Sequence, residues 1–82
     1  MSLPVAWISD GWIFTEDPEQ NGRYWIHDNW IWGPEGAADA YTGYWINTGW
    51  IWGPAGPDNA MTGFFVREDW IFGPDMKLPF VR

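Results

Sequence analysis

The stretch YWINTGWIWGP at residues 44–54 sets two apolar triplets, Tyr44-Trp45-Ile46 and Trp50-Ile51-Trp52, on either side of three polar residues, and stops at Gly53-Pro54. Aromatic and β-branched triplets are strand formers and a short polar break ending in glycine is a turn former, so the stretch reads as a β-hairpin. A three-residue hairpin loop places its last residue in the left-handed region, which glycine enters freely and Asn or Asp more readily than other residues. Asn47-Thr48-Gly49 fits that loop, and Gly53-Pro54, unable to donate to a ladder, is expected to end the second strand.

The pattern recurs along the chain as AWISDGWIF (6–14), YWIHDNWIW (24–32) and FFVREDWIF (64–72). The tryptophan opening each second triplet falls at Trp12, Trp30, Trp50 and Trp70, at separations of 18, 20 and 20 residues. Gly-Pro follows the hairpins at 33–34, 53–54 and 73–74, while the first copy has TEDPEQNG at 15–22. The connectors EGAADAYTG and AGPDNAMTG share Ala40 with Ala60, Thr42 with Thr62 and Gly43 with Gly63, and the first has room for a short helical turn. Internal repetition at this period predicts an all-β fold and a single repeat domain over residues 1–82. It would hold four tandem β-hairpin repeats of about 20 residues, forming either a closed pseudo-fourfold ring or a short β-hairpin solenoid. The tail LPFVR (78–82) echoes LPVA (3–6), which favours closure, with the C-terminal end pairing beside the N-terminal strand.

A three-residue loop also fixes the faces. It would oppose Ile46 to Trp50, placing Tyr44, Ile46, Trp50 and Trp52 on one face and Trp45 and Ile51 on the other. The second copy would place Tyr24, Ile26, Trp30 and Trp32 against Trp25 and Ile31. Both faces are then apolar, so each hairpin needs cover from neighbouring hairpins, another chain or a ligand. A chain of 82 residues without cysteine buries only about 60% of its unfolded surface. Most of its nine tryptophans, three tyrosines and five phenylalanines are therefore expected to be structural.

At these residues the chain resembles two kinds of aromatic hairpin repeat. PVAWISDGWIF is similar to the repeat of the small four-fold β-flower proteins, a resemblance that implies four hairpins around an axis. AMTGFF, following GYWINTGWIW at a 20-residue period, resembles the choline-binding or cell-wall-binding repeats. That resemblance implies aromatic side chains of successive hairpins enclosing a quaternary ammonium or a sugar. The chain departs from that pattern in its shorter loop, in WIW where two tyrosines are usual, and in Gly-Pro after the second strand.

Charge narrows the partners. Eleven Asp and Glu against four Lys and Arg give a net charge of −7, which repels a phosphate backbone or an anionic membrane, so neither nucleic acid nor membrane is an expected partner. The N-terminal MSLPVAWISDGW has no basic segment or long apolar run, so the expectation is a soluble chain without a signal peptide, made in the cytoplasm and compatible with virion association. One histidine and no cysteine leave little for a metal. His27 has only Asp28 of the same turn beside it, which is not a triad. The carboxylates Glu16, Asp17, Glu19, Glu35, Asp39, Asp58 and Asp75 lie in connectors without calcium-loop spacing or a pair set across a cleft. They read as solubilising charge, and neither enzymatic activity nor a cofactor is expected.

Two functions remain. The first is a lectin-like recognition module binding a glycan or quaternary-ammonium group in aromatic grooves between hairpins, through Trp30, Trp32, Trp50 and Trp52 with Trp25, Trp45 and Tyr44. The second is a structural assembly protein of a virion, such as a phage tail, baseplate or capsid-decoration component, whose aromatic faces are buried in a homo-oligomer or against other subunits.

Overall fold

The computed structural model describes residues 4–21, 23–56, 60–74 and 77–81. Among them run eight strands: β1 (Pro4–Ser9), β2 (Trp12–Phe14), β3 (Tyr24–His27), β4 (Trp30–Trp32), β5 (Tyr41–Asn47), β6 (Trp50–Trp52), β7 (Met61–Arg67) and β8 (Trp70–Phe72). Each strand pairs antiparallel with its chain neighbours, and β1 pairs with β8, so the four hairpins form a closed barrel rather than an open solenoid. Closure gives every strand two partners and removes the sheet edges that a stacked array would leave at its ends. Strand β4 ends at Trp32, β6 at Trp52 and β8 at Phe72, each directly before Gly-Pro. No helix among the described residues is long and apolar enough to cross a membrane.

The hairpin loops are one residue shorter than the sequence suggests. Trp45 opposes Trp52, Ile46 opposes Ile51 and Asn47 opposes Trp50, leaving Thr48-Gly49 as a two-residue turn. Both turn residues have positive φ, 53° and 83°, as a type I′ turn requires. The other copies do the same with Asp10-Gly11, Asp28-Asn29 and Glu68-Asp69, whose φ values run from 52° to 81°. The first polar residue of each break, Ser9, His27, Asn47 or Arg67, therefore belongs to its strand. Because side chains alternate with period two, this one-residue shift reverses the expected faces. Trp45 shares a face with Trp50 and Trp52, while Ile51 joins Tyr44 and Ile46. In the second copy Trp25 likewise joins Trp30 and Trp32, and Ile31 joins Tyr24 and Ile26.

The inner face forms the core. Ile13, Ile31, Ile51 and Ile71, one from the second strand of each hairpin, are all 0% exposed. Each meets a first-strand residue of the next hairpin: Ile13 faces Tyr24, Ile31 faces Tyr44 and Ile71 faces Ala6. Ile8, Ile26, Ile46 and Val66 pack against this ring as a further, half-buried set. An eight-stranded barrel is just wide enough for side chains to fill, and these do. The repetition extends to the backbone, where the N–H groups of Ile8, Ile26, Ile46 and Val66 each donate to the last turn carbonyl of the preceding hairpin, at 2.6 to 2.7 Å.

The echo in the tail has a different outcome from the one expected. Strand β8 itself closes onto β1, and residues 78–81 turn inward, burying Leu78 and Phe80. The Phe80 ring meets Tyr24 and Tyr44 with centroids 5.4 and 6.2 Å away, so the tail plugs one mouth of the barrel.

The connector after β4 contains no helical turn. Instead β5 and β7 start early, at Tyr41 and Met61, and each carries a bulge at Thr-Gly. Gly43 and Gly63 supply positive φ of 84° and 86°. The hydroxyls of Thr42 and Thr62 donate to the carbonyls of Ile31 and Ile51 and accept from the N–H groups of Tyr44 and Phe64.

Candidate ligand-binding site

All nine tryptophans lie on the outer face of the barrel. None belongs to the buried core, and seven are half-buried while Trp50 and Trp70 are exposed, at 38% and 46%. The expectation that most aromatics are structural thus divides by strand face, with Phe14, Phe65, Phe72 and Tyr41 outside among the indoles. Tyr24, Tyr44, Phe64 and Phe80 serve the interior, and the indoles form a belt outside it.

The belt is built from one contact used four times. The outward aromatic of each first strand packs on the outward tryptophan of the preceding second strand: Trp25 on Trp12, Trp45 on Trp30, Phe65 on Trp50 and Trp7 on Trp70. Centroid separations are 5.2 to 6.1 Å and the rings are tilted by 47° to 55°, within the range that favours aromatic pairs. Tyr41 extends the contact between the second and third hairpins, lying 5.5 Å from Trp30 and 5.8 Å from Trp32.

Six of the seven residues proposed from sequence, Trp25, Trp30, Trp32, Trp45, Trp50 and Trp52, are thus brought to one continuous surface. Tyr44 is not among them, because it points inward against Phe80. The six are not equivalent. The indole N–H groups of Trp32 and Trp52 donate to the backbone carbonyls of His27 and Asn47 at 3.2 Å, which fixes both rings to their own hairpins. The N–H groups of Trp25, Trp30, Trp45 and Trp50 take no hydrogen bond among the described residues, leaving donors at the surface.

Beside the tryptophan that opens each second strand stands a polar cross-strand partner: Ser9 opposite Trp12, His27 opposite Trp30, Asn47 opposite Trp50 and Arg67 opposite Trp70, whereas Trp32 and Trp52 face Trp25 and Trp45. The sequence reading assigned these four to the loops and so missed them as surface groups. It also left out Trp7, Trp12, Phe65 and Trp70, although the repeat alignment makes them counterparts of residues it chose.

Groups suited to other chemistry are dispersed. His27 Nε2 lies 3.4 Å from the Asp28 carboxylate, with both side chains largely in solvent. No three His, Asp or Glu converge as a metal site among the described residues. Asp58 and Asp75 lie outside the described residues. The Asp17 carboxyl is held below its usual 3.8 by the Gln20 side-chain amide and then by the Glu19 N–H, against an opposing effect of desolvation, with the Lys77 charge adding least. Compared with known protein families, characterised proteins and solved structures, the chain matches none.

Proposed function

We propose that the protein is a non-enzymatic, lectin-like recognition module of the four-hairpin kind whose outer aromatic belt binds glycans. One observation carries the reading: every tryptophan faces outward, and the tryptophan that opens the second strand of each hairpin has a polar side chain directly across from it. A pyranose needs that pair, an indole for its apolar C–H face and a neighbouring polar group for its hydroxyls. The Trp50 and Asn47 platform, bordered by Phe65, joins an exposed indole to a neutral amide.

Ring spacing favours a sugar over a caged quaternary ammonium. Carbon contacts form at roughly 3.5 to 4 Å, so a group held between two ring faces needs them about 7 to 8 Å apart. The belt rings already touch at 5.2 to 6.1 Å, which leaves their outer faces to stack on.

The test is a titration of tryptophan fluorescence with neutral oligosaccharides and with choline. Binding in the millimolar range, about −4 kcal/mol, is expected for one shallow platform. Trp50→Ala should stay folded and lose most of it. Unchanged fluorescence across the whole panel, together with a discrete oligomer in light scattering, would sink the proposal in favour of the assembly reading. That second reading draws on the exposure of Trp50, Met61 and Trp70 along β6 to β8, which could seat another copy or a virion subunit.

A further inference from the structure

The four copies are not alike inside. In copies two to four an inward ring, Tyr24, Tyr44 or Phe64, lies against a glycine after the second strand, Gly33, Gly53 or Gly73. A Cβ on any of those glycines would fall 2.0 to 2.5 Å from the ring, so ring and glycine require each other. The first copy has neither: Ala6 replaces the ring and Thr15 the glycine. A cleft of about 310 Å³ opens there, at the seam where β1 meets β8. Val5 and Ala6 contribute apolar lining, Trp7 and Trp70 aromatic lining, and Glu16 and Lys77 charge.

We infer that this seam cleft is a separate subsite that holds a single neutral pyranose, such as a terminal sugar of the glycan. The inference rests on the glycan reading above and adds to it a second, more enclosed position. Pockets for small ligands start at about 300 Å³, so the cleft suits one sugar ring rather than a chain. Its wall is already fixed. The Gln20 amide donates to Asp17 Oδ2 at 2.7 Å, the Glu19 N–H donates to Asp17 Oδ1 at 3.0 Å, and Gln20 Oε1 accepts the Leu78 N–H at 3.3 Å. Thr15 Oγ1 donates to the Asp17 carbonyl and accepts its N–H, at 3.0 and 2.9 Å. By contrast, the Glu16 carboxylate and Lys77 ammonium take no hydrogen bond or ion pair among the described residues, so an acceptor and a donor remain for hydroxyls. Charge disfavours an anion, which would face Glu16 and Asp17, and Lys77 offsets part of the attraction those carboxylates hold for a cation. A neutral ring with one apolar face and a hydroxylated edge matches what is left.

Isothermal titration with the methyl pyranosides of glucose, galactose, mannose and N-acetylglucosamine tests this on the full chain. At least one of them should bind wild type at one site per chain. Ala6→Tyr/Thr15→Gly, which gives the first copy the pattern of the other three, should abolish that site. Glu16→Gln, at an exposed side chain, should weaken it about tenfold by removing a charged acceptor. Glu35→Gln, at an exposed connector residue outside the cleft lining, should leave it unchanged, with near-ultraviolet circular dichroism confirming the fold of each variant. The seam subsite is overturned if no methyl pyranoside binds wild type, or if Glu16→Gln and the double variant both bind as wild type does. It is also overturned if Glu35→Gln alone removes binding. If oligosaccharides still bind and depend on Trp50, the belt reading survives that result; if only monosaccharides bind, and only at the seam, the belt reading falls instead.

Discussion

One added methyl group can separate the two forces that shape the inner ring. At Gly53 φ is +142°, and a Cβ would lie 2.4 Å from Tyr44 Cδ2. Gly53→Ala therefore combines a backbone conformation that alanine resists, about 1 to 3 kcal/mol, with an overpacked contact, about 1 to 3 kcal/mol. Each part has its own control. Gly36 has φ +87° and nothing within 4 Å of a Cβ, so Gly36→Ala reads the backbone alone, at about 1 to 2 kcal/mol. Gly73 carries no left-handed φ but would set its Cβ 2.0 Å from Phe64 Cδ2, so Gly73→Ala reads the contact alone. Gly53→Ala should then cost about 4 kcal/mol. Domains of this size have about 4 to 12 kcal/mol of stability in all, so the loss is large. Urea unfolding followed by tryptophan fluorescence measures it, with an unchanged slope marking a pure stability effect. In a Tyr44→Ala background the clash with the ring is gone, although the Gly43 carbonyl still lies 2.9 Å from the added Cβ, and Gly53→Ala should cost less, about 1 to 3 kcal/mol. If Gly53→Ala and Gly36→Ala cost the same, or Tyr44→Ala leaves the cost of Gly53→Ala unchanged, the pairing of ring and glycine is refuted, and with it the explanation of Ala6 and Thr15.

Three further outcomes are expected. Phe80→Ala, which empties the plug beneath Tyr24 and Tyr44, should lower the unfolding free energy by about 3 to 5 kcal/mol, and a loss near zero would show that the tail does not seal the barrel. Glu68→Asn/Asp69→Gly, at turn residues held at φ 52° and 66°, should relieve about 1 kcal/mol of turn strain and raise the melting temperature by roughly 4 to 8 °C; an unchanged melting temperature would count against the type I′ assignment. Asp17, whose carboxyl titrates below 3.8 in the fold, contributes stability that is present above 3.8 and lost as pH falls through the lower folded value, because the unfolded chain takes up the proton first. Acid titration of the urea midpoint should therefore fall less steeply below 3.8 in Asp17→Asn than in wild type, and parallel curves would contradict the assignment.

Much of the fold was legible because the same local signals occur four times. Polar breaks between apolar triplets located the hairpins, and Gly-Pro located the strand ends. What could not be read was the register, since three polar residues fit either a three-residue loop or a two-residue turn preceded by an outward strand residue. The ambiguity mattered because one residue of slip exchanges inside for outside. With both triplet faces apolar, hydrophobicity could not choose between them. Isoleucine could have: it stands mid-triplet in every second strand, and all four copies of it are fully buried. The shared Thr-Gly of the connectors was visible as a repeat, but its role as a bulge depends on partners eleven residues away. Tyr44 was misplaced for the same register reason, and the seam cleft was hidden because its lining comes from separate parts of the chain, around Ala6, Glu16, Trp70 and Lys77.

What varies among the copies bears on function. The fold repeats its main contacts, as in the four inward isoleucines and the four aromatic contacts between hairpins, one of which uses Phe65 where the others use tryptophan. The outward residue opposite the tryptophan that opens each second strand is different every time: a hydroxyl at Ser9, an imidazole at His27, an amide at Asn47 and a guanidinium at Arg67. All four occupy the same strand position beside the same type of turn, so backbone geometry does not demand any one of them. A surface serving only solubility would not set each beside a large indole, and a surface serving only fourfold packing would repeat one group. An indole kept constant beside a polar group that changes suits a ligand whose rings all stack alike and whose hydroxyl edges differ. Exchanging Asn47 and Arg67 should then shift which sugars bind without changing stability by more than about 0.5 kcal/mol. An exchange that alters the unfolding midpoint and leaves the sugar preference untouched would return these residues to the fold.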